Sequence, residues 1–381
     1  MRIFILVIIS VYAMSVLSDT ALAAVKIRGL GNSFQRLTKD KQLIIGYYGG
    51  SITEGAGASD GNKTSWRGLT TQWFKDQYPQ AKITEVQASI GGTGSRLGAF
   101  RIEDDLIKHK PDLIFVEYAV NDGGDDEKSI TRNMEGIVRH IWRNNPRADI
   151  VFVYTTTKSL AGAYEQGALP NAIIFDHKIA EFYGIPEVNV GKTLFDALKG
   201  DVTWQTLTID TVHPNDTGYK IYGDQVAAFL QKHRKDRQSG TMKLPLPYTP
   251  NPIEYGRLVD AWTIDAPGWV KEDQSLGGRY PHRITSDKPG TELIYKFEGT
   301  AIGIYWNMGP DSGDIEWSLD GGPSRKTSSW DIFAKDYHRA NSVIFADDLV
   351  KGPHTLKLKV LPDHQPESKG TVIRIGAFLV Q

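Results

Sequence analysis

A serine set among glycines directly after an apolar, β-branched run, Leu43-Ile44-Ile45-Gly46-Tyr47-Tyr48-Gly49-Gly50-Ser51-Ile52-Thr53-Glu54-Gly55, has the residue type and setting of a nucleophile. The passage from a buried strand into a helix leaves such a hydroxyl exposed at the carboxyl end of a sheet. Gly49, Gly50 and Gly55 permit the tight turn. A phosphate-binding loop or a merely flexible turn are the other readings, but the Lys-Ser/Thr ending and the spaced glycines of the nucleotide-binding fingerprints are absent. A hydroxyl needs a base to take its proton and a third group to orient that base. Asp210-Thr211-Val212-His213 supplies both in one turn, with the carboxylate three residues before the imidazole and the far ring nitrogen left for Ser51. Of the nine histidines only His213 has this setting; His109, His140, His177 and His233 lie in charged helical stretches, where a solvated surface histidine is the ordinary reading. Taken alone, the Asp-x-x-His pair also reads as a helix-capping Asp beside a structural His.

Acyl transfer further requires donors aimed at the oxyanion of the tetrahedral intermediate. Two more segments stand directly after apolar runs, Ala88-Ser89-Ile90-Gly91-Gly92-Thr93-Gly94-Ser95 and Glu117-Tyr118-Ala119-Val120-Asn121-Asp122. A backbone N–H of the glycine run, the Ser51 N–H and the Asn121 side-chain amide would make a three-donor pocket. A turn role for Asn121 and a helix-entry role for Gly92 remain open at this point. Glu54 and Trp66 lie close in sequence to the nucleophile turn and are candidates for the substrate pocket or for purely structural work.

Positioning these groups falls to a regular alternation. Apolar or β-branched runs at 43–48, 83–88, 113–118, 150–155 and 186–190 alternate with helical periods at 97–108, 130–144, 172–183 and 217–232, and Ser65 caps another helix before Trp66. That pattern predicts a flavodoxin-like, doubly wound α/β domain with a parallel sheet, over residues 24–237. Residues 238–252, with Leu244-Pro245-Leu246-Pro247-Tyr248-Thr249-Pro250, read as a Pro-rich linker in extended conformation. Beyond it, over residues 253–381, the helical period gives way to short runs at 292–297, 301–306, 315–319, 343–345, 354–360 and 371–380 separated by turn signals. These predict an antiparallel, jelly-roll-like β-sandwich.

The four segments, in this order, resemble the SGNH hydrolase superfamily, the GDSL-type esterases. Gly50-Ser51-Ile52-Thr53 matches the first block, with Gly50 where many relatives carry the name-giving Asp; Gly92 matches the second, Asn121-Asp122 the third and Asp210-x-x-His213 the last. The third block departs from the usual Gly-x-Asn-Asp in having Ala119. The resemblance implies Ser51 as nucleophile, His213 as base, Asp210 as its orienting partner, and an oxyanion hole of Ser51, Gly92 and Asn121. It implies no cofactor and no metal. The sandwich resembles, by architecture alone, accessory domains found beside carbohydrate esterases.

Arg2 followed by an apolar stretch at 3–17 and Ala21-Leu22-Ala23 has the form of a secretory signal peptide, residues 1–23, cleaved after Ala23. The stretch is shorter than the roughly 20 residues of a spanning helix, so the expectation is a secreted or periplasmic protein without a membrane anchor after cleavage. With 44 basic against 45 acidic side chains there is no field to gather nucleic acid, and with no Cys there are no disulfides and no thiolate chemistry. Together these readings predict an exported serine esterase that removes O-acetyl groups from a carbohydrate. A lipase, lysophospholipase or thioesterase with the same triad, and an inactive glycan-binding protein, are the rivals. In the sandwich, Trp306 and Trp317 read as core, while Trp330, in Thr327-Ser328-Ser329-Trp330-Asp331, is the candidate for contact with a sugar ring. Asp311, Asp314, Asp320 and Asp331 have no spacing that matches a calcium loop.

Overall fold

The computed structural model describes residues 27–237, 239–274 and 281–381; the expected signal peptide and its cleavage site lie outside the described residues. Five strands, β1 (Gln42–Gly49), β2 (Lys82–Gln87), β3 (Leu113–Glu117), β4 (Asp149–Tyr154) and β5 (Glu187–Asn189), form one parallel sheet in the order β2-β1-β3-β4-β5. This is the flavodoxin-like order, with its switch point between β1 and β3, where ligands bind outside the carboxyl ends of the strands. Both faces are covered, which is why the strands read as near-continuous apolar runs. Leu43, Ile45 and Tyr47 of β1 share one core layer with Phe115 and Val153, while Tyr48 faces the other layer with Val116 and Phe152.

The helices follow in chain order: α1 (Gly31–Gln35), α2 (Ser51–Glu54), α3 (Trp66–Gln77), α4 (Ser95–Asp105), α5 (Glu127–Asn144), α6 (Gly162–Glu165), α7 (Asn171–Tyr183), α8 (Val190–Ala197), α9 (Trp204–Leu207) and α10 (Asp216–His233). The starts of α3, α5 and α10 are fixed by side-chain oxygens that satisfy otherwise orphaned N–H groups. Ser65 accepts from Gly68, Asp126 from Ser129, and Asn215 from Thr217 and Gly218.

Residues 239–252 are strapped to the first domain. The Met242 N–H donates to Pro146, Arg139 donates to the Pro245 carbonyl, and the N–H groups of Tyr248 and Thr249 donate to the buried Glu135 carboxylate of α5 at 2.6 and 2.7 Å.

The second domain is an antiparallel sandwich. One sheet has the order β13-β10-β15-β8-β7, from strands β7 (Val270–Glu272), β8 (Arg283–Ser286), β10 (Ile302–Met308), β13 (Arg339–Ala346) and β15 (Ile373–Val380), with β6 (Arg257–Asp260) also paired to β15. The other has the order β12-β11-β14-β9, from β9 (Glu292–Gly299), β11 (Asp314–Leu319), β12 (Arg325–Ser328) and β14 (Gly352–Val360). Trp306 and Trp317 are buried between the sheets. The four aspartates weighed for calcium are each paired with a cationic or basic group instead: Asp311 with Arg374, Asp314 with Lys326, Asp320 with His354 and Asp331 with Arg339.

The two domains share a core. Ala301, Tyr305, Ala377 and Leu379 of the sandwich join the layer built by α4 and α5, while Ile373, Ile375, Phe378 and Val380 on the other face of β15 point into the sandwich. At the rim of this seam the buried Arg132 of α5 donates to the Asp347 carboxylate at 2.8 Å and to the Asn251 carbonyl at 2.9 Å. A rigid junction follows, because breaking it would expose apolar surface and strand a buried cation.

Candidate active site

The turn after β1 delivers Ser51 at the first position of the short α2, half-buried at the switch point. Two buried arginines fix the backbone behind it. Arg101 of α4 donates to the Ala88 carbonyl at 2.5 Å and the Gly49 carbonyl at 3.3 Å, tying the ends of β1 and β2 together, and lies 4.4 Å over the Tyr48 ring. Arg67 of α3 donates to the Thr53 carbonyl at 3.2 Å and pairs with Glu85. Beneath the turn, buried Glu117 accepts from the hydroxyls of Thr53 and Thr155 at 2.8 and 2.7 Å, and burial pushes its carboxyl up. None of these three carried a signal in the sequence beyond being charged residues in apolar stretches.

The segment before α10 folds back on itself, with Ile209 N–H donating to the His213 carbonyl at 2.9 Å and Thr211 in the left-handed region at φ 68°. That conformation is costly for a β-branched residue. It lets the Asp210 carboxylate accept from the N–H groups of Val212 and His213 at 3.0 and 2.7 Å through one oxygen and from His213 Nδ1 at 2.7 Å through the other. Partial burial opposes the charge on Asp210, but these bonds outweigh it and hold its carboxyl below the ordinary value. Because an ionised carboxylate only accepts, Nδ1 carries the proton and Nε2 is left as acceptor for the Ser51 hydroxyl, 2.8 Å away.

Two other strand ends meet the same turn. Gly91 lies against Ser51, and the Ile90 N–H donates to the Gly49 carbonyl at 3.0 Å. The Gly91 N–H donates to Glu54 at 2.8 Å, so Glu54 braces the glycine loop. Gly92 follows at φ +71°, where a side chain is strained. On the other side, the Asn121 amide fills the space that a Cβ on Gly50 would occupy, which is the physical reason this chain has glycine there. Among the described residues, the Ser51 N–H, the Gly92 N–H and the Asn121 side-chain amide donate to no protein acceptor. A Gly50→Ala substitution should displace the Asn121 amide and lower kcat by about ten- to hundredfold, part of the loss for deleting one oxyanion donor. Steady-state kinetics on a small ester reads this directly.

Asp122 sits behind Asn121, fully buried, accepting from the Ser95 N–H at 2.9 Å at the start of α4. Burial pushes its carboxyl up to about 7. The folded chain therefore holds a proton that the unfolded chain releases near pH 4, so stability falls as pH rises from about 4 to about 7, by at most about 1.4 kcal/mol per pH unit from this group. Melting temperatures across that window should fall less steeply for Asp122→Asn than for the parent.

Trp66 requires a correction. It is completely buried, edge-on to Tyr47 and Phe115 at 5.5 and 5.9 Å, and it has no surface for a substrate; its large apolar ring fills the layer beneath the sheet. Trp330 is only half-buried and packs on the sandwich core, while its neighbours Ile332 and Phe333 are the exposed apolar residues of that loop. Among the described residues no group of His, Asp and Glu side chains is arranged to hold a metal ion, and no helix is long and apolar enough to cross a membrane.

Residues 47–221, which contain every strand end described above, match the model of the GDSL-like lipase/acylhydrolase family. Over that stretch the chain is similar to GDSL-like acylhydrolase domains. The chain thus carries a carboxylic ester hydrolase of the SGNH type. Its fold extends the likeness into the sandwich: a two-domain esterase, CEX, active on acetylated mannans superimposes with a TM-score of 0.81 at 22% identity, over 93% of this chain and 96% of that one. The same esterase co-crystallised with mannopentaose gives 0.78 at 21%, over 93% and 95%. At such identity the likeness is one of fold. No curated protein matches the sequence.

Proposed function

We propose that the protein is an exported esterase that removes O-acetyl groups from a carbohydrate, with Ser51, His213 and Asp210 as its triad. The observation that carries this reading is the continuous relay from Asp210 through His213 to Ser51, 2.7 and 2.8 Å per step, at the switch point of the sheet. Ser51 Oγ attacks the acetyl carbonyl carbon while His213 Nε2 takes its proton. The carbonyl oxygen becomes an oxyanion among the N–H groups of Ser51 and Gly92 and the amide of Asn121. Collapse breaks the ester bond; His213 returns the proton to the sugar oxygen, and the acetyl group stays on Ser51. Water, deprotonated by His213, then releases acetate and restores the serine. Asp210 keeps the imidazole in the tautomer both halves require.

A carbohydrate as the alcohol is supported by the sandwich, whose exposed Ile332 and Phe333 stand on the same loop as Asp331, the partner of Arg339, which in turn reaches the glycine loop of the site. The two-domain fold neighbour's activity on acetylated mannans makes acetylated mannan the first polymer to try. The N-terminal pattern of residues 1–23 supports export. The test is acetate release from acetylated mannan, xylan and pectin, set beside p-nitrophenyl esters of increasing chain length. Preference for long acyl chains would favour a lipase or thioesterase, and no turnover on any ester would favour a glycan-binding protein.

A further inference from the structure

The glycine loop is held from both sides, and the second hand comes from the other domain. Arg339, the first residue of β13, donates through Nη2 to the Gly92 carbonyl at 3.0 Å. Its Nη1 pairs with Asp331, its guanidinium lies 5.4 Å from the Phe333 ring, and its side chain is 13% exposed. Asp331 in turn accepts from the Ala334 N–H at 3.0 Å, which fixes the turn it starts. The cation is thus anchored at two points, Asp331 and the Phe333 ring, and the third is the backbone of the proposed oxyanion pocket.

Gly92 has an N–H for the oxyanion and a carbonyl one residue-length away; the orientation of the first depends on how the second is held. Upstream, the Gly91 N–H is fixed by Glu54 at 2.8 Å, and the Thr93 hydroxyl closes the loop on the Ile90 carbonyl at 2.8 Å. Downstream, the hold on the Gly92 carbonyl comes from Arg339. A glycine at φ +71° has a shallow preference for any one conformation, so such a loop needs external fixing to keep a donor within the narrow geometry that stabilises a transition state. A Cβ on Gly92 would come within 2.6 Å of Arg339 Nη2, which leaves no slack in the fit.

We infer that Arg339 is a positioning residue for ester hydrolysis: through the Gly92 carbonyl it aims the Gly92 N–H at the oxyanion, so that the sandwich domain completes the catalytic pocket of its neighbour. The inference rests on the proposed triad and oxyanion hole. It differs from a role in gripping the sugar, because it acts on substrates that never touch the sandwich.

The test is the hydrolysis of p-nitrophenyl acetate by full-length Arg339→Met and Arg339→Lys, with melting curves for each. Arg339→Met should lower kcat about ten- to hundredfold, less than the roughly 10²–10³ for losing an oxyanion donor outright, with KM changed less than about twofold. Arg339→Lys, which keeps a cationic donor for the carbonyl, should recover part of the loss. Asp331→Asn, which loosens the arginine without removing it, should lower kcat in the same direction by less and keeps the inference testable if Arg339→Met folds poorly. Unchanged kcat on this small ester in folded Arg339→Met, with any loss confined to acetylated polymer, would overturn the inference while leaving the triad intact. Full turnover by Ser51→Ala would overturn the triad reading beneath it.

Discussion

Ser51→Ala should lower kcat on an acetyl ester by about 10⁶, with KM little changed, because a triad acts as a unit and the remaining oxyanion donors still bind the substrate. The expectation follows from the geometry around one oxygen. Ser51 Oγ is 2.8 Å from His213 Nε2, and the backbone that carries it is fixed by Arg101, Arg67 and Glu117. Removing the hydroxyl therefore takes away the reacting atom and leaves the frame. The melting temperature should stay within a few degrees of the parent, since a half-buried hydroxyl contributes about 1 kcal/mol. A large fall in stability together with the fall in rate would instead mean that the serine holds the turn.

His213→Ala should cost about as much, again near 10⁶ in kcat, and the Ser51→Ala, His213→Ala double variant should be no worse than either alone. Without the imidazole the hydroxyl keeps its proton, and without the hydroxyl the imidazole has nothing to accept from. Multiplicative losses in the double variant would contradict a relay.

Much of the frame was legible because its signals are local. Buried parallel strands announce themselves as apolar runs, so all five lay within a residue or two of their observed positions. Ser51, His213 and Asp210 were legible for the same reason: a glycine turn after a strand and an Asp-x-x-His turn each define a geometry over a few residues. In the sandwich, β12 (Arg-Lys-Thr-Ser) is a polar edge strand and β7 has three residues, too short to show a period. The apolar run of β15, interrupted by Arg374 alone, by contrast encodes burial on both faces, one in the sandwich and one against α4 and α5. What sequence cannot display is long-range pairing. Arg339 and Gly92 are 247 positions apart, and nothing in either local pattern names the other. Trp66 erred in the opposite sense: closeness along the chain to the nucleophile suggested a pocket residue, but the helical turn of α3 directs its ring inward to Phe115.

The most direct measurement is to locate the acyl group. Protein mixed with p-nitrophenyl acetate and quenched in acid within the first turnovers should carry one acetyl ester, and peptide mass mapping should place it on the peptide containing Ser51, with none in Ser51→Ala. Acetyl on another residue, or release of p-nitrophenol without any acetylated protein intermediate, would contradict nucleophilic catalysis by Ser51.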